Sequence, residues 1–310
     1  MSTQITTAFV KQYSDNVFHL VQQSGSRLRQ YTRNETQNGD SKFFERIGST
    51  AAQIKSGRHS DTPLMNTPHS RRMVTLADYE WADLIDDADK IRMLIDPTSE
   101  YALAARNAMG RSMDDVIIAA ALGNAFGGVG GTSVIAHPNS QKLASTNGTD
   151  AGASLNVSAL RNARQILMAN EVDPDEELYI AADAKQIKNM LTEVEVTSSD
   201  YNSVKALVEG KVDTFMGFKF VHSERLNVQS GALSFAYADG TVGSGSGDAD
   251  TYRRCFAWAK SGLVLSTGTE IMGKISERDD KSYSTQVYAA MGIGATRLEE
   301  EKIVEILCVA

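Results

Sequence analysis

Few residues of this sequence stand at the spacings that catalysis or metal binding requires. No HExxH or CxxC pair is present, so no zinc site of familiar spacing is indicated. No serine stands in a GxSxG motif, which argues against a hydrolase of that type. The histidines are isolated from one another along the chain: His19, His59, His69, His137 and His222. We therefore predict no catalytic residue, no metal site and no cofactor.

A glycine-rich segment invites comparison with a phosphate-binding loop. Gly127, Gly128, Gly130 and Gly131 are followed by Thr132. The cluster follows a predicted helix, whereas a phosphate loop precedes a helix and carries a lysine before its serine or threonine. A helix stop and hinge is the favoured interpretation.

Adjacent acidic residues offer the other possible chemistry. Asp86-Asp87, Asp114-Asp115 and Asp279-Asp280 fall in predicted helices and turns, where such pairs are usually solvated. Glu299 to Glu301 indicate a charged turn before the last strand. Acidic groups between touching subunits would still be able to bind a cation, and the sequence leaves this open.

Composition and charge narrow the class of protein. The 310 residues are 42% hydrophobic and 23% charged, enough for a substantial core and about two domains. The net charge of −8 argues against tight DNA binding, because phosphate neutralisation dominates that affinity, but it suits the wall of a container. Cys255 and Cys308 lie in apolar runs and are expected to be buried free thiols. We expect no signal peptide and no membrane span.

The first third of the chain predicts elements that need a partner. Residues 1–40 are polar and end in QYTRNETQNGD, which indicates an extended arm that becomes ordered against a neighbour. KFFERIGSTAAQIKS and SRRMVTLADYEWADLI, joined by a loop with Gly57, Pro63 and Pro68, predict a long projecting β-hairpin. An isolated hairpin is marginal in water, so this one is expected to lie on another subunit.

A long helix and an α/β region follow. Asp96 is a good N-cap before Pro97, and the alanine-rich run predicts one helix to about Asn124, with a possible bend at Gly110 and a stop at Gly127. Farther on, the predicted elements are helices after Asn156 or Ser158 and after Asp183, a helix NSVKALVE, and strands ELYIAA, VDTFMGFKFVHS and GALSFAYA. GTVGSGSGDAD predicts a flexible loop.

The last 60 residues predict a strand-rich closing region. Turns are expected at Ser261-Gly262, at Asp279-Asp280 and from Gly292 to Gly294. The final run, KIVEILCV, is β-branched and apolar, which predicts a strand inside a sheet.

In this order the segments resemble the major capsid proteins of tailed bacteriophages, which share the Hong Kong 97-like fold. Two phrases carry the resemblance locally. VDTFMGFKFVHSERL turns at Gly217 into an aromatic strand, and YAAMGIGATRLEEEKIVEILCVA is similar to the closing strands of that family. The resemblance implies an α+β fold with an N-terminal arm (1–40), an extended β-hairpin loop (41–90), a peripheral domain with a long spine helix (91–130 and 251–310) and an α/β axial domain (131–250).

The function that the resemblance implies is self-assembly into an icosahedral shell that encloses double-stranded phage DNA. Implied partners are further copies of the chain in hexameric and pentameric capsomers, separate scaffolding and portal proteins, and packaged DNA through weak non-specific contacts, with a decoration protein as an option. The implied location is the virion, after assembly in the cytoplasm of a host bacterium.

The predicted functional residues are therefore interface residues. Basic residues on the arm and the hairpin would pair with carboxylates of a neighbouring subunit or meet nucleic acid, although any one of them would equally suit a solvated surface. Two aromatic residues follow them on the second hairpin strand. The predicted inter-subunit set is Arg27, Arg29, Arg33, Arg58, Arg71, Arg72, Tyr79 and Trp81.

Three alternatives remain open at this point. The first is an encapsulin-like nanocompartment with protein cargo, which has the same fold. The second is an oligomeric α/β enzyme with an unrecognised site between residues 150 and 250, against which the missing acid, base and nucleophile weigh. The third is a tail component, although such proteins are usually more uniformly β-rich.

Overall fold

The structure is a computed structural model. It describes residues 22–55, 57–59, 61, 64–86, 98–145, 154–192, 214–230, 234–236, 242–244 and 251–309. Asp96 and the predicted helix NSVKALVE (202–209) lie outside the described residues. Among the described helices, none combines the length and the apolar character that crossing a bilayer requires.

The elements confirm a mixed α+β protein. The helices are α1 (Thr98–Leu122), α2 (Val157–Ala169) and α3 (Ala184–Met190). The strands of the first half are β1 (Arg33–Thr36), β2 (Ser41–Ile47), β3 (His69–Thr75), β4 (Ala77–Ile85), β5 (Ala125–Gly127), β6 (Ser133–Ile135) and β7 (Lys142–Ala144). The later strands are β8 (Leu178–Ala182), β9 (Thr214–Phe215), β10 (Phe218–His222), β11 (Val228–Ser230), β12 (Ser234–Ala236), β13 (Val242–Ser244), β14 (Thr251–Ala259), β15 (Leu263–Arg278), β16 (Ser284–Arg297) and β17 (Ile303–Val309).

The strands form four sheets. The largest has the order β7-β17-β14-β8-β10-β9, with β11 also paired to β14. One four-stranded sheet has the order β1-β15-β16-β4 and another the order β2-β3-β5-β6, while β12 pairs with β13. The largest sheet thus combines strands from the predicted axial segment with β14 and β17 from the predicted closing segment, and the predicted domain limits themselves stay a prediction.

The chain is divided into two compact units. The first comprises residues 1–26, 78–112 and 269–292, and the second comprises 27–77, 113–268 and 293–310. The second unit contains the apolar core around β14, where Phe256 and Trp258 are fully buried and their ring centroids lie 4.8 Å apart. Burying such aromatic side chains supplies a large share of the hydrophobic free energy of a domain.

The caps of the two shorter helices confirm the local predictions. The side chain of Asn156 accepts a hydrogen bond from the backbone N–H of Ala159, and that of Asp183 accepts one from Gln186. Each cap satisfies a backbone donor that the first helical turn leaves free. The strands predicted at ELYIAA and on both sides of Gly217 are also present.

Helix α1 is continuous through Gly110, where a bend was predicted. In the first unit, a Cβ atom at residue 110 would lie 2.4 Å from the carbonyl carbon of Gly25. The backbone of residues 25 and 26 therefore approaches the helix more closely than any other residue type would permit. The glycine serves close packing, and α1 ends at Leu122, two residues earlier than predicted.

The described end of the predicted arm is ordered within its own chain. Leu28 is fully buried, the indole N–H of Trp258 donates to the carbonyl of Tyr31, and β1 pairs in parallel with β15. Residues 27–40 thus become ordered without a neighbouring subunit, contrary to the prediction, because Leu28 packs in the core of the second unit and β1 pairs with β15. Residues 1–21 lie outside the described residues.

The predicted hairpin is present but shorter than its sequence pattern suggests. Strands β2 and β3 pair from Ser41↔Thr75 to Ile47↔His69. The second predicted strand splits after Thr75, and its continuation β4 joins β16 in another sheet. Strand β5, where a helix stop was predicted, pairs with β3 and extends the hairpin into a sheet.

Two further loop predictions are wrong. Gly292 and Gly294 lie inside the continuous strand β16 rather than in a turn. At residue 294 a Cβ atom would lie 2.3 Å from the carbonyl oxygen of Thr75, so this glycine permits a close backbone approach. The segment predicted as a flexible loop contains β13, which pairs with β12.

Candidate functional site

The buried base of the hairpin centres on Arg297, whose side chain lies at the C-terminal end of α1. Its Nη1 donates to the carbonyl oxygens of Ala121 at 3.0 Å and Gly123 at 2.6 Å, and its Nη2 donates to that of Ile135 at 3.2 Å. The last carbonyls of a helix have no partner within the helix and carry partial negative charge. The fully buried Arg297 (0% exposed) donates hydrogen bonds to these carbonyls and places a positive charge beside them.

Glu300 connects Arg297 to the hairpin strands. Arg72 on β3 donates to both carboxylate oxygens of Glu300, at 2.9 and 2.8 Å, and Arg46 on β2 lies 3.3 Å from the same carboxylate. The Nε atom of Arg297 lies 3.9 Å from it. We call Arg46, Arg72, Arg297 and Glu300 the anchor cluster. It joins both hairpin strands to the turn before β17.

Electrostatics within the anchor cluster favour the charged forms. Burial on its own would raise the pKa of Glu300, but the hydrogen bonds and positive charge of Arg72, with the charge of Arg46, outweigh it and lower the pKa. Burial lowers the pKa of the Arg297 guanidinium, and the charge of Glu300 opposes that effect. The carboxylate is therefore ionised and paired at neutral pH.

A second buried ion pair lies beside the anchor cluster. Arg254 on β14 donates to the carboxylate of Glu305 on β17, and its Nη2 donates to the carbonyl of Leu122 at 3.2 Å. Arg254 and Arg297 together neutralise the negative end of α1. This arrangement fixes the helix end against the last strands of the chain.

His137 is the buried histidine near these charges. It is 5% exposed, and its pKa is lowered to about 3, chiefly by burial and then by the positive charges of Arg297, Lys142 and Arg254. The imidazole is therefore neutral at physiological pH.

The tip of the hairpin contrasts with this base. We call residues 48–68 the hairpin tip; every residue described within it is exposed, apart from half-buried Thr67. Ile54 is 96% exposed and Leu64 is 97% exposed. Contact with water is unfavourable for apolar side chains that project this fully into solvent, and a covering surface would remove that cost.

The first unit carries another apolar surface. A groove of about 380 Å³ lies between α1 and the outer part of the β15–β16 pair. Ala102, Ala105 and Val287 are among its lining residues, and Met272 and Ile275 on β15 are exposed.

Several of the predicted interface residues form ion pairs or hydrogen bonds within their own chain. Arg72 is buried against Glu300, and the Nη1 atom of Arg27 donates to the carbonyl of His222 at 3.0 Å. Arg71 lies 3.3 Å from Glu45 across the hairpin and is half-buried.

The remaining predicted residues are distributed over separate elements. Arg33 is exposed and paired with Glu35, Arg58 is exposed on the hairpin tip, and Arg29 is half-buried in a short 3-10 turn. Tyr79 and Trp81 are half-buried on β4. The structure does not bring the eight residues into one site, and their role between subunits stays a prediction.

Sequence patterns missed the buried charges. Glu300 belongs to a run predicted as a charged turn, with no indication that it is buried, and Asp114 belongs to a pair predicted as solvated. Asp114 is instead 0% exposed and accepts hydrogen bonds from the backbone N–H groups of Arg27 and Leu28. The one local indication of this cluster in the sequence was that Arg297 and Glu300, three positions apart, carry opposite charges. Within the described ranges, no group of three or more His, Cys, Asp or Glu side chains is placed to hold a metal ion.

Comparisons with known proteins agree on one family. A family model described as phage capsid protein matches residues 5–310. No curated protein sequence matches the chain.

Solved structures show the same fold at low sequence identity. The capsid structure of cyanophage P-SCSP1u is 16% identical with a TM-score of 0.72, covering 100% of this chain and 95% of that one. The capsid of Ralstonia phage GP4 is 10% identical with a TM-score of 0.73, covering 98% and 96%. A structure from Mycobacterium phage Che8 is 14% identical with a TM-score of 0.68, covering 96% and 97%.

Proposed function

Because the chain belongs to the phage capsid protein family, we propose that its hairpin tip reaches a neighbouring copy and holds the shell together. The chain is a major capsid protein, a subunit of the virion shell, and its fold is Hong Kong 97-like. The encapsulin-like and enzymatic alternatives gain no support from the comparisons.

The observation that carries the proposal is the exposure of Ile54 and Leu64 on a segment with almost no buried residue. A subunit that remained alone would gain nothing from these side chains in water. If another copy covered both side chains, the buried apolar surface would stabilise the contact by about 25 cal/mol per Å². Repeated around a closed shell, a modest contact of this kind becomes a large total free energy.

The exposed and half-buried members of the predicted interface set supply specificity in this proposal. Arg58 on the hairpin tip and Arg33 at the start of β1 meet carboxylates of the neighbouring copy, and Tyr79 and Trp81 supply aromatic contact area. Arg27 and Arg72 act instead within their own chain, because their guanidinium groups bind His222 and Glu300.

The assembly proposed for the chain is an icosahedral shell of hexameric and pentameric capsomers that encloses double-stranded DNA. Related solved structures are described as capsids, two of them computed with C5 symmetry. The net charge of −8 suits a wall that contacts DNA weakly and without sequence preference. Scaffolding and portal proteins, and in some shells a decoration protein, complete the proposed assembly, which takes place in the host bacterial cytoplasm.

Expression with and without the neighbouring phage genes tests this proposal. Gel filtration and negative-stain microscopy are expected to reveal shells or megadalton capsomers. A stable monomer under every condition, particularly one that turns over a substrate, would contradict it.

Deletion of residues 1–21 tests the arm separately, since it leaves Leu28 and β1 in place. We expect a folded subunit that assembles poorly.

A further inference from the structure

Five buried polar atoms near the end of α1 have no hydrogen-bond partner among the residues that the structure describes. They are Nδ1 and Nε2 of His137, Oε1 of Gln141, Nε of Arg297 and Oε2 of Glu305. The four side chains are all at least nine-tenths buried. Buried polar groups in proteins are nearly always hydrogen-bonded, so five orphans in one region require an explanation.

A hydrogen bond, a strand pairing and two electrostatic interactions place these atoms in one region. Arg297 donates to the carbonyl of Ile135, two residues before His137. Lys142, which directly follows Gln141, stands opposite Glu305 in the pairing of β7 with β17. The charge of Arg297 acts on the pKa of His137, and that of Glu305 acts on the pKa of Arg297. We call His137, Gln141, Arg297 and Glu305 the polar pocket.

The hydrogen-bonding capacity of the polar pocket identifies the ligand. Gln141 Oε1 and Glu305 Oε2 are acceptors, Arg297 Nε is a donor, and a neutral imidazole provides one donor and one acceptor. Two donors and three acceptors match a molecule that both donates and accepts. A water molecule does both, and buried water typically makes two to four such bonds.

Charge excludes the alternative ligands. An anion would face the carboxylate of Glu305 and the carbonyl oxygen of Gln141, whereas a cation would face the guanidinium of Arg297. Nearby, Arg72 and Arg254 are already paired with Glu300 and Glu305. The remaining positive charge of Arg297 is offset by the helix-end carbonyls to which it donates. The ligand is therefore neutral.

We propose that the polar pocket binds one or two ordered water molecules, which join the segment before β7 to the last strand and keep the side chains beside the anchor cluster in place. This water site belongs to the folded subunit and does not depend on the function proposed for the hairpin tip. It makes the interior of the subunit, at the point where the helix ends, a hydrated junction rather than a dry one.

A structure of the protein at about 2 Å resolution or better, from assembled particles or from the purified subunit, tests the proposal. We expect density peaks about 2.7–3.2 Å from Glu305 Oε2 and from a ring nitrogen of His137. Direct bonds between these side chains, with no peak between them, would overturn it. So would a peak that scatters as bromide after chloride is exchanged for bromide.

Variants provide the second measurement. His137→Phe fills similar space without polar atoms, whereas His137→Gln keeps a donor and an acceptor. We expect the Phe variant to lose a water peak and to unfold at a lower temperature than the Gln variant. Equal melting temperatures for the wild type, the Phe variant and the Gln variant would count against the site. If the Phe variant does not fold, the wild-type density alone decides.

Discussion

The two ends of the hairpin are built in opposite ways. At its base, the charges of Arg72 and Glu300 are buried and hydrogen-bonded to each other. At its tip, Ile54 and Leu64 are apolar and almost fully exposed. Polar groups thus lie inside and apolar groups outside, the reverse of what a solitary globular domain favours.

The difference separates two tasks along one element. The base fixes the direction in which the hairpin leaves the subunit, because Glu300 binds Arg46 on one hairpin strand and Arg72 on the other. The tip has few contacts in its own chain and is available to another copy. Changes at the base should therefore affect the stability of the subunit, and changes at the tip should affect association.

The largest stability effect is expected at the base. Arg72→Met removes the three hydrogen bonds from Arg72 to Glu300 and leaves part of a buried carboxylate charge uncompensated. Breaking one side of a buried ion pair typically costs about 3–5 kcal/mol. Urea unfolding of the subunit should show that loss. A matched variant, Arg33→Met, breaks an exposed pair with Glu35 and should cost no more than about 1 kcal/mol; similar losses for both variants would mean that burial at the base is unimportant.

A smaller effect at the base depends on pH. The pKa of His137 is about 3 in the folded subunit, against about 6.5 when the chain is unfolded. Below pH 6.5 the unfolded chain therefore binds a proton that the folded subunit does not, and stability falls as the pH falls. Between pH 6.5 and 4.5 the loss due to this residue should be about 2–3 kcal/mol.

The control for this prediction is His137→Gln, which does not titrate. Unfolding free energies of the two proteins are measured at several pH values, and the wild-type value should fall relative to that of the variant as the pH falls from 6.5 to 4.5. Parallel curves from pH 6.5 to 4.5 would show that the histidine is protonated in the folded subunit or accessible to solvent.

The sequence predicts those features that depend on residues close together in the chain, and misses those that depend on residues far apart. Asn156 and Asp183 act on backbone groups three residues away, so their helix caps were predictable. Arg72 and Glu300 are separated by 228 positions, and no local pattern connects them. A run of three glutamates looks solvated unless the arginines that face it are known.

Close backbone approach was equally hidden from the sequence. Gly292 and Gly294 suggested a turn, because glycine is common in turns. Their actual role, at least at Gly294, is to let Thr75 approach β16, which depends on a strand more than two hundred residues earlier. The exposed tip, by contrast, was predictable from Gly57, Pro63 and Pro68 and from its thin apolar content.

The smallest stability effect is expected at the tip. Ile54→Ser combined with Leu64→Ser removes apolar side chains that are exposed in the subunit. The unfolding free energy should change by no more than about 0.5 kcal/mol, as is usual for surface substitutions. A larger loss in urea unfolding would show that the tip packs within its own subunit.

Particle formation by this double variant tests the central claim most directly. The yield of shells is measured by sedimentation and negative-stain microscopy, next to Met168→Ser, which changes an exposed apolar residue on α2. We predict a folded double variant that forms few or no shells, and a Met168→Ser variant that assembles as the wild type does. Shells at wild-type yield from the double variant would contradict the role assigned to the hairpin tip.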